Sequence, residues 1–327
     1  STISQPDQPD CFPGTGEYGW NALNSYVGAC QRGFVKSAAV LTILAQAPPV
    51  DSFRPSYFGT DKTVRFTKNQ LNFNRLGQVP RLSIPGDLSL ARLEQSFQRV
   101  NVQTHYWRTE GVQPSEGVPG YGGAYVAELS LAALLVNLDY PQQEKENLVI
   151  YLTQLGIDFY GALNNRINTP GSDDAWFPLG GHGSGRLFPI IFAGYLLNDP
   201  AMSSVRSTYT HSKYFGETGQ LFTVTNYPSN TPVSIIPECA NGGINCGYGG
   251  YTVQDLGLPE FGFSHFGNGP SSDYNGWTGG PLTNAYRRCC TASQWIGQIL
   301  ASHIMGIEGL WNYNVLFAYM DRYMFME

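Results

Sequence analysis

The sequence predicts a mainly α chain of 327 residues built as an (α/α) toroid, a ring of helical hairpins with long glycine- and aromatic-rich loops and a little β. Three observations predict it. Two stretches, Tyr121 to Leu138 and Leu187 to Leu197, are apolar nearly all round, as helices buried on every side are. A helix, a short turn, a second helix and a long loop recur along the chain, without an exact sequence repeat. The long loops gather many of the 38 glycines, 20 tyrosines and 6 tryptophans. A plain helical bundle, the alternative, has shorter loops.

Residues 1–17 are polar and proline-bearing and are expected to form an N-terminal arm; 18–327 are expected to form a single domain. Trp20 to Cys30 and Phe34 to Ala47 are expected to form a first helix pair. Pro48 to Pro85 carries Asp, Pro, Gly and Asn punctuation and is expected to be irregular. Asp87 is the expected N-cap of a helix over Leu88 to Val100, where Leu90, Leu93, Phe97 and Val100 recur at helical spacing. Tyr121 to Leu138 and Glu144 to Leu163 are expected to pair across the short Asp139-Tyr-Pro connection. Leu187 to Leu197 follows. Residues 201–281 are expected to be a loop-rich insertion of short β-prone pieces, Leu221 to Thr225 being the clearest. Helices resume at Ala285 to Met305 and Leu310 to Met324.

Composition narrows the function. A net charge of −6 argues against a general nucleic-acid binder, which needs a basic face. Charged residues are 13%, about half the usual share. Few charges with many aromatics suit a protein that stacks on sugars, and equally a filament subunit. Fourteen of the 19 basic residues are Arg, whose planar fork grips carboxylates. No apolar run approaches a membrane span. The chain opens on Ser1, as a processed chain would. Cys239 and Cys246 bracket a glycine-rich turn, and Cys11 and Cys30 are placed to staple the N-terminus. Disulfides and a secreted or periplasmic location are therefore expected. No C-x-x-C pair suggests zinc, and no metal or other cofactor is expected.

The most informative segment runs from Trp176 to Tyr195. His182 and Arg186 lie four residues apart in a glycine-rich loop that leads straight into an apolar helix. Glycines remove side chains where something must approach the backbone, and a loop held on a rigid helix is a usual seat of catalytic groups. A tight connector is the bland alternative. On the helix beginning at Tyr121, Tyr121, Tyr125 and Glu128 fall at i, i+4 and i+7, two phenols and a carboxyl on one face. A buried Glu is costly unless paired. The stripe therefore either lines a polar cavity or holds a Glu paired to a neighbouring helix. Thr104 to Glu110 offers Trp107 as a stacking platform and Arg108 as a clamp. Tyr286 stands beside Arg287 and Arg288, and a neighbouring positive charge favours the phenolate, which can act as base and then acid. Trp176, His265, Tyr274 and Trp277 complete the candidate substrate contacts.

Three runs, Tyr121-Gly-Gly-Ala-Tyr-Val-Ala-Glu-Leu-Ser-Leu131, Gln154-Leu-Gly-Ile-Asp-Phe-Tyr-Gly161 and Gly180-Gly-His-Gly-Ser-Gly-Arg186, together with Tyr319-Met-Asp-Arg322, resemble bacterial polysaccharide lyases of (α/α) toroid fold, those that cleave glucuronan and alginate above all. The resemblance covers roughly Tyr106 to Leu197 and the last forty or so residues. It implies β-elimination at a uronate: one group neutralises the carboxylate, and a tyrosine takes the C5 proton and returns one to the leaving oxygen. On this chain the implied parts are His182, Arg186, Arg287 or Arg288, and Tyr286 or another loop tyrosine. The implied partner is an acidic polysaccharide, with no role for nucleic acid or membrane; a homo-oligomer or filament stays compatible. Two rivals remain open. One is a glycoside hydrolase on the same fold, with carboxylates from Asp173, Asp174, Glu128 and Asp255. The other is a non-catalytic extracellular sugar-binding or filament-forming protein.

Overall fold

A computed structural model describes residues 41–81, 89–98, 122–167, 183–210, 214–223 and 291–326, with short pieces at 3–4, 37–38, 225–226, 232–233, 257 and 259–261. All six cysteines lie outside these residues, as do Asp87 and the helix expected at Trp20 to Cys30. The described part is mainly helical. Its principal helices are α1 (Leu90–Phe97), α2 (Gly122–Leu135), α3 (Gln142–Ile167), α4 (Leu187–Leu197), α5 (Ala292–Met305) and α6 (Asn314–Met326).

Helix α4 matches its sequence expectation at both ends. Ten of its eleven residues are buried, and Tyr195 alone is partly exposed. Pro189 falls in its first turn, where a missing N–H breaks no helical bond. Asn198 ends it in the left-handed conformation, φ 56°. Helix α1 buries Leu93 and Phe97, as the spacing predicts, but it is capped by Ser89, whose Oγ accepts from the Arg92 N–H at 3.2 Å, and not by Asp87.

Three expectations are corrected. Residues 41–47 are not helical, and Ser37–Ala38 is a strand that pairs antiparallel with Ile3–Ser4. Leu41 and Ile43 are 74% and 81% exposed, while the alternate Thr42 and Leu44 are half-buried. That is a period of two, favoured by β-branched Val40, Thr42 and Ile43 and by the Pro48-Pro49 pair that follows. Leu310 to Met324 is not one helix. A 3-10 turn, Glu308–Trp311, stops at left-handed Asn312, and α6 starts anew. The segment after 200 opens with three single-turn helices, Pro200–Ser203, Val205–Thr208 and Gly216–Gly219, before the expected strand appears as Leu221–Thr223, paired with Pro259–Phe261.

Packing is set by two close helix contacts. Helix α3 lies along α4, and α2 lies along α5. The expected close hairpin of α2 with its neighbour α3 is thus not the main contact of either helix. Each crossing is made at a glycine. A Cβ on Gly156 of α3 would sit 2.6 Å from Ala193 Cβ and 2.8 Å from the Pro189 carbonyl carbon of α4. A Cβ on Gly297 of α5 would sit 2.5 Å from the Ser130 carbonyl oxygen of α2. Both sites are close approaches to a backbone carbonyl, of Pro189 and of Ser130, that any side chain would block. The core between them is continuous, from Leu93 through Leu129, Phe159, Phe188 and Phe192 to Trp295 and Trp311.

The irregular 50s are stapled to α3 by a charged pair. The Arg54 guanidinium donates to both carboxylate oxygens of buried Asp158, and the Gln154 amide bonds the Arg54 backbone at both N–H and C=O, each 3.1 Å. Burial pushes the Asp158 carboxyl up from 3.8 to about 6, against the pull of Arg54. Water still reaches Arg54, which weakens its pull, so desolvation dominates. A folded pKa above the unfolded one favours the neutral acid. Its contribution to stability is complete below about 3.8 and is lost as pH rises through about 6. Wild type is therefore expected to lose melting temperature relative to Asp158→Asn as pH is raised from about 4 to about 6; parallel curves for the two proteins would refute this.

Candidate functional site

The glycine-rich loop ends inside the protein. Gly183 to Arg186 are buried, and the turn is held from three sides. From α5, the Trp295 indole N–H donates to Ser184 Oγ at 3.2 Å. From the single turn at Gly216–Gly219, Glu217 Oε1 accepts the Gly185 N–H at 2.6 Å. From α2, Tyr125, Val126 and Leu129 close over Gly185, whose missing Cβ would lie 3.2 Å from the Tyr125 ring. Gly185 has φ +77°, the left-handed region that glycine enters without steric cost. The sequence thus makes a turn here because glycine permits both the dihedral and the tyrosine packed on it.

Under the turn lies a buried polar knot. Glu217, Gln298 and Arg186 are each 0% exposed. Glu217 Oε1 also accepts from Gln298 Nε2 at 3.3 Å. Burial pushes the Glu217 carboxyl up. Its own backbone N–H, that of Gly185, the Gln298 amide and the Arg186 charge pull it part of the way back. The carboxyl stands one residue ahead of Arg186, the N-cap of α4, where a helix favours negative charge. Gln220 Nε2 donates to the Gly216 carbonyl at 2.9 Å, which fixes the turn that carries Glu217.

Of the residues predicted from sequence, Tyr125 and Arg186 come together at this turn. Tyr125 is buried and meets Phe97 edge-on at 6.0 Å between ring centroids. Arg186 is enclosed, near enough to Glu217 for its charge to act on that carboxyl, so a clamp on a dissolved polymer is not the role this burial suits. Glu128 lies apart. Its Oε1 pairs with Arg92 of α1 at 3.3 Å, the bond to a neighbouring helix that its position allowed. His182, Tyr286, Arg287, Trp107, Arg108, Tyr121, Trp176, His265, Tyr274 and Trp277 lie outside the described residues. His182 is joined directly to the anchored Gly183.

Sequence reasoning missed Glu217, Gln298, Ser184 and Trp295. One faint signal was present: Glu217 stands alone between Gly216 and Gly219 in an otherwise uncharged run. At the far end of α4 a cleft of about 380 Å³ is lined by Arg75, Tyr195, Asn198, Ser203 and Leu310. Arg75 is used there as a cap, donating to the Tyr195 carbonyl and to Asn198 Oδ1 and stacking on the Tyr195 ring. Among the described residues no cluster of His, Cys, Asp and Glu suits a metal ion, and no helix is long and apolar enough to cross a membrane.

No family model, curated protein or solved structure matches the chain.

Proposed function

We propose that this chain is a polysaccharide lyase that cleaves a uronate-containing polymer by β-elimination, with its reactive groups on the loop that ends at Gly183–Arg186. One observation carries the reading: the turn after His182 is anchored against Tyr125, Glu217 and Trp295, so the segment singled out by the lyase resemblance springs from a rigid seat. Preorganised geometry of this kind is what positions catalytic side chains. Arg186 then supports the loop from within. Neutralising the substrate carboxylate falls to His182 and Arg287, and the C5 proton to Tyr286 or another loop tyrosine. Trp107, Arg108, Tyr121, Trp176, His265, Tyr274 and Trp277 supply the sugar contacts. The contact of α2 with α5, far apart in sequence, supports a chain that closes into a toroid. Export and disulfides among the six cysteines belong to the same proposal, since the substrate is an extracellular polymer.

The test is a panel of uronate and neutral polysaccharides assayed for unsaturated and for reducing ends. Cleavage of a uronate polymer is expected to give products that absorb in the near ultraviolet, from the double bond that elimination leaves. Reducing ends without that absorbance would move the protein to the hydrolases. No cleavage of any polymer would favour the sugar-binding or filament-forming alternative.

A further inference from the structure

Glu217 is a charge-bearing group buried on every side, in a chain that could fill the same volume with an apolar residue. Buried ionic groups replaced by hydrophobic residues of similar size often leave stability unchanged or improved. The bond pattern around it is uneven. One carboxylate oxygen, Oε1, takes both the Gly185 N–H at 2.6 Å and the Gln298 amide at 3.3 Å. The other, Oε2, has no hydrogen-bond partner among the described residues, and neither does Gln298 Oε1. Of the two bonds that Oε1 takes from other residues, the shorter goes to the glycine-rich turn. The turn needs that bond. Gly185 sits at φ +77°, where its N–H points into the protein, and a buried N–H left without an acceptor costs heavily. The Glu217 backbone is pressed onto the same turn, because a Cβ on the adjacent Gly216 would lie 2.6 Å from the Ser184 nitrogen.

From this we infer that Glu217 is a positioning residue, a latch whose Oε1 fixes the Gly185 peptide and with it the aim of the loop that carries His182. The inference deepens the lyase proposal and relies on it only for the catalytic consequence. Glu217 touches no substrate; it acts through the turn. What the Gly185 peptide takes from it is an acceptor oxygen at one point; Gln keeps that oxygen while giving up the charge that faces Arg186, and Met, of similar length, keeps neither.

The experiment is backbone hydrogen exchange on the full chain, comparing wild type, Glu217→Gln and Glu217→Met, with kcat and KM measured on the uronate polymer in parallel. Wild type should protect the Gly185 amide; exchange there at the rate of an unstructured peptide overturns the latch before any variant is made. In Glu217→Met the Gly185 amide should exchange at least about tenfold faster, while amides of α3 and α5 keep their rates. In Glu217→Gln it should stay within about threefold of wild type. Equal behaviour of the two variants at Gly185, or faster exchange spread evenly over the helices, overturns the proposal, since general loosening is what a merely structural acid would give. If the polymer is cleaved, Glu217→Met should lower kcat roughly 10–100-fold with KM nearly unchanged, the signature of a misaimed group. A released turn in Glu217→Met on a chain that cleaves nothing retires the lyase and leaves the latch; a protected turn in Glu217→Met retires the latch whatever the polymer assay gives.

Discussion

Gly156→Ala is expected to destabilise the protein by about 3 kcal/mol or more, at the top of the range for overpacking. The added methyl would meet Pro189 and Ala193 across the α3–α4 contact, with Pro189 O nearest, Ala193 Cβ at 2.6 Å and the Pro189 carbonyl carbon at 2.8 Å. Two of these atoms are backbone, and the proline ring stiffens them. Relief requires the two helices to separate, which opens the core beside Phe159 and Phe192. Gly309→Ala is the control, because no atom lies within 4 Å of its Cβ position; its change should fall within about 0.5 kcal/mol. Urea unfolding of the two variants beside wild type decides it. A lowered midpoint with unchanged slope for Gly156→Ala is the expected pattern, and equal midpoints for both variants would show that α3 and α4 have room to give.

His182→Ala is expected to lower kcat about 10²–10⁴-fold, the usual contribution of a general acid–base group, with the melting temperature near that of wild type. His182→Asn should keep part of the activity, since an amide still hydrogen-bonds a carboxylate. Arg186→Lys should behave in the opposite way. Arg186 is enclosed beside Glu217, so exchanging a planar fork for a point charge there disturbs the knot beneath the turn and lowers the melting temperature first. Turnover and thermal stability measured on the same samples separate the two roles. A His182→Ala protein that melts lower but turns over normally would remove His182 from the chemistry.

The helices that the sequence announced best were those whose evidence is local. Leu187 to Leu197 has an unbroken apolar run and an Asn at its end, and both termini fall where expected. Leu93 and Phe97 were legible from spacing alone, but the cap moved from Asp87 to Ser89, since both residue types favour that place and only the chain path chooses. Phe34 to Ala47 misled because a run of apolar residues satisfies a helix and a strand almost equally, and here Leu41 and Ile43 face outwards. The site divided in the same way. Tyr125 and the glycine turn were visible because glycine spacing and a phenol on an apolar helix are local signals. Glu217 was not, because its burial is made by α5 laying Gln298 over it, 81 residues further on. Nothing in Phe215-Gly-Glu-Thr-Gly219 alone distinguishes a buried acid from a solvated one.

The contact of α2 with α5 also sets the order in which this protein can be made. Ser130 Oγ donates to the Gln294 carbonyl at 2.5 Å across 164 residues of chain. At a synthesis rate of about 5–20 residues per second, α2 leaves the ribosome roughly 10–30 s before the helix that covers it. Throughout that interval the face of α2 around Ser130 lacks the helix that will cover it, although α1, which meets it at Tyr125 and Glu128, is already made. That face must be sheltered meanwhile by a chaperone or by the nascent segments between. Yield in a cell is therefore expected to respond to elongation rate and holdase supply more than the finished molecule's melting point would suggest.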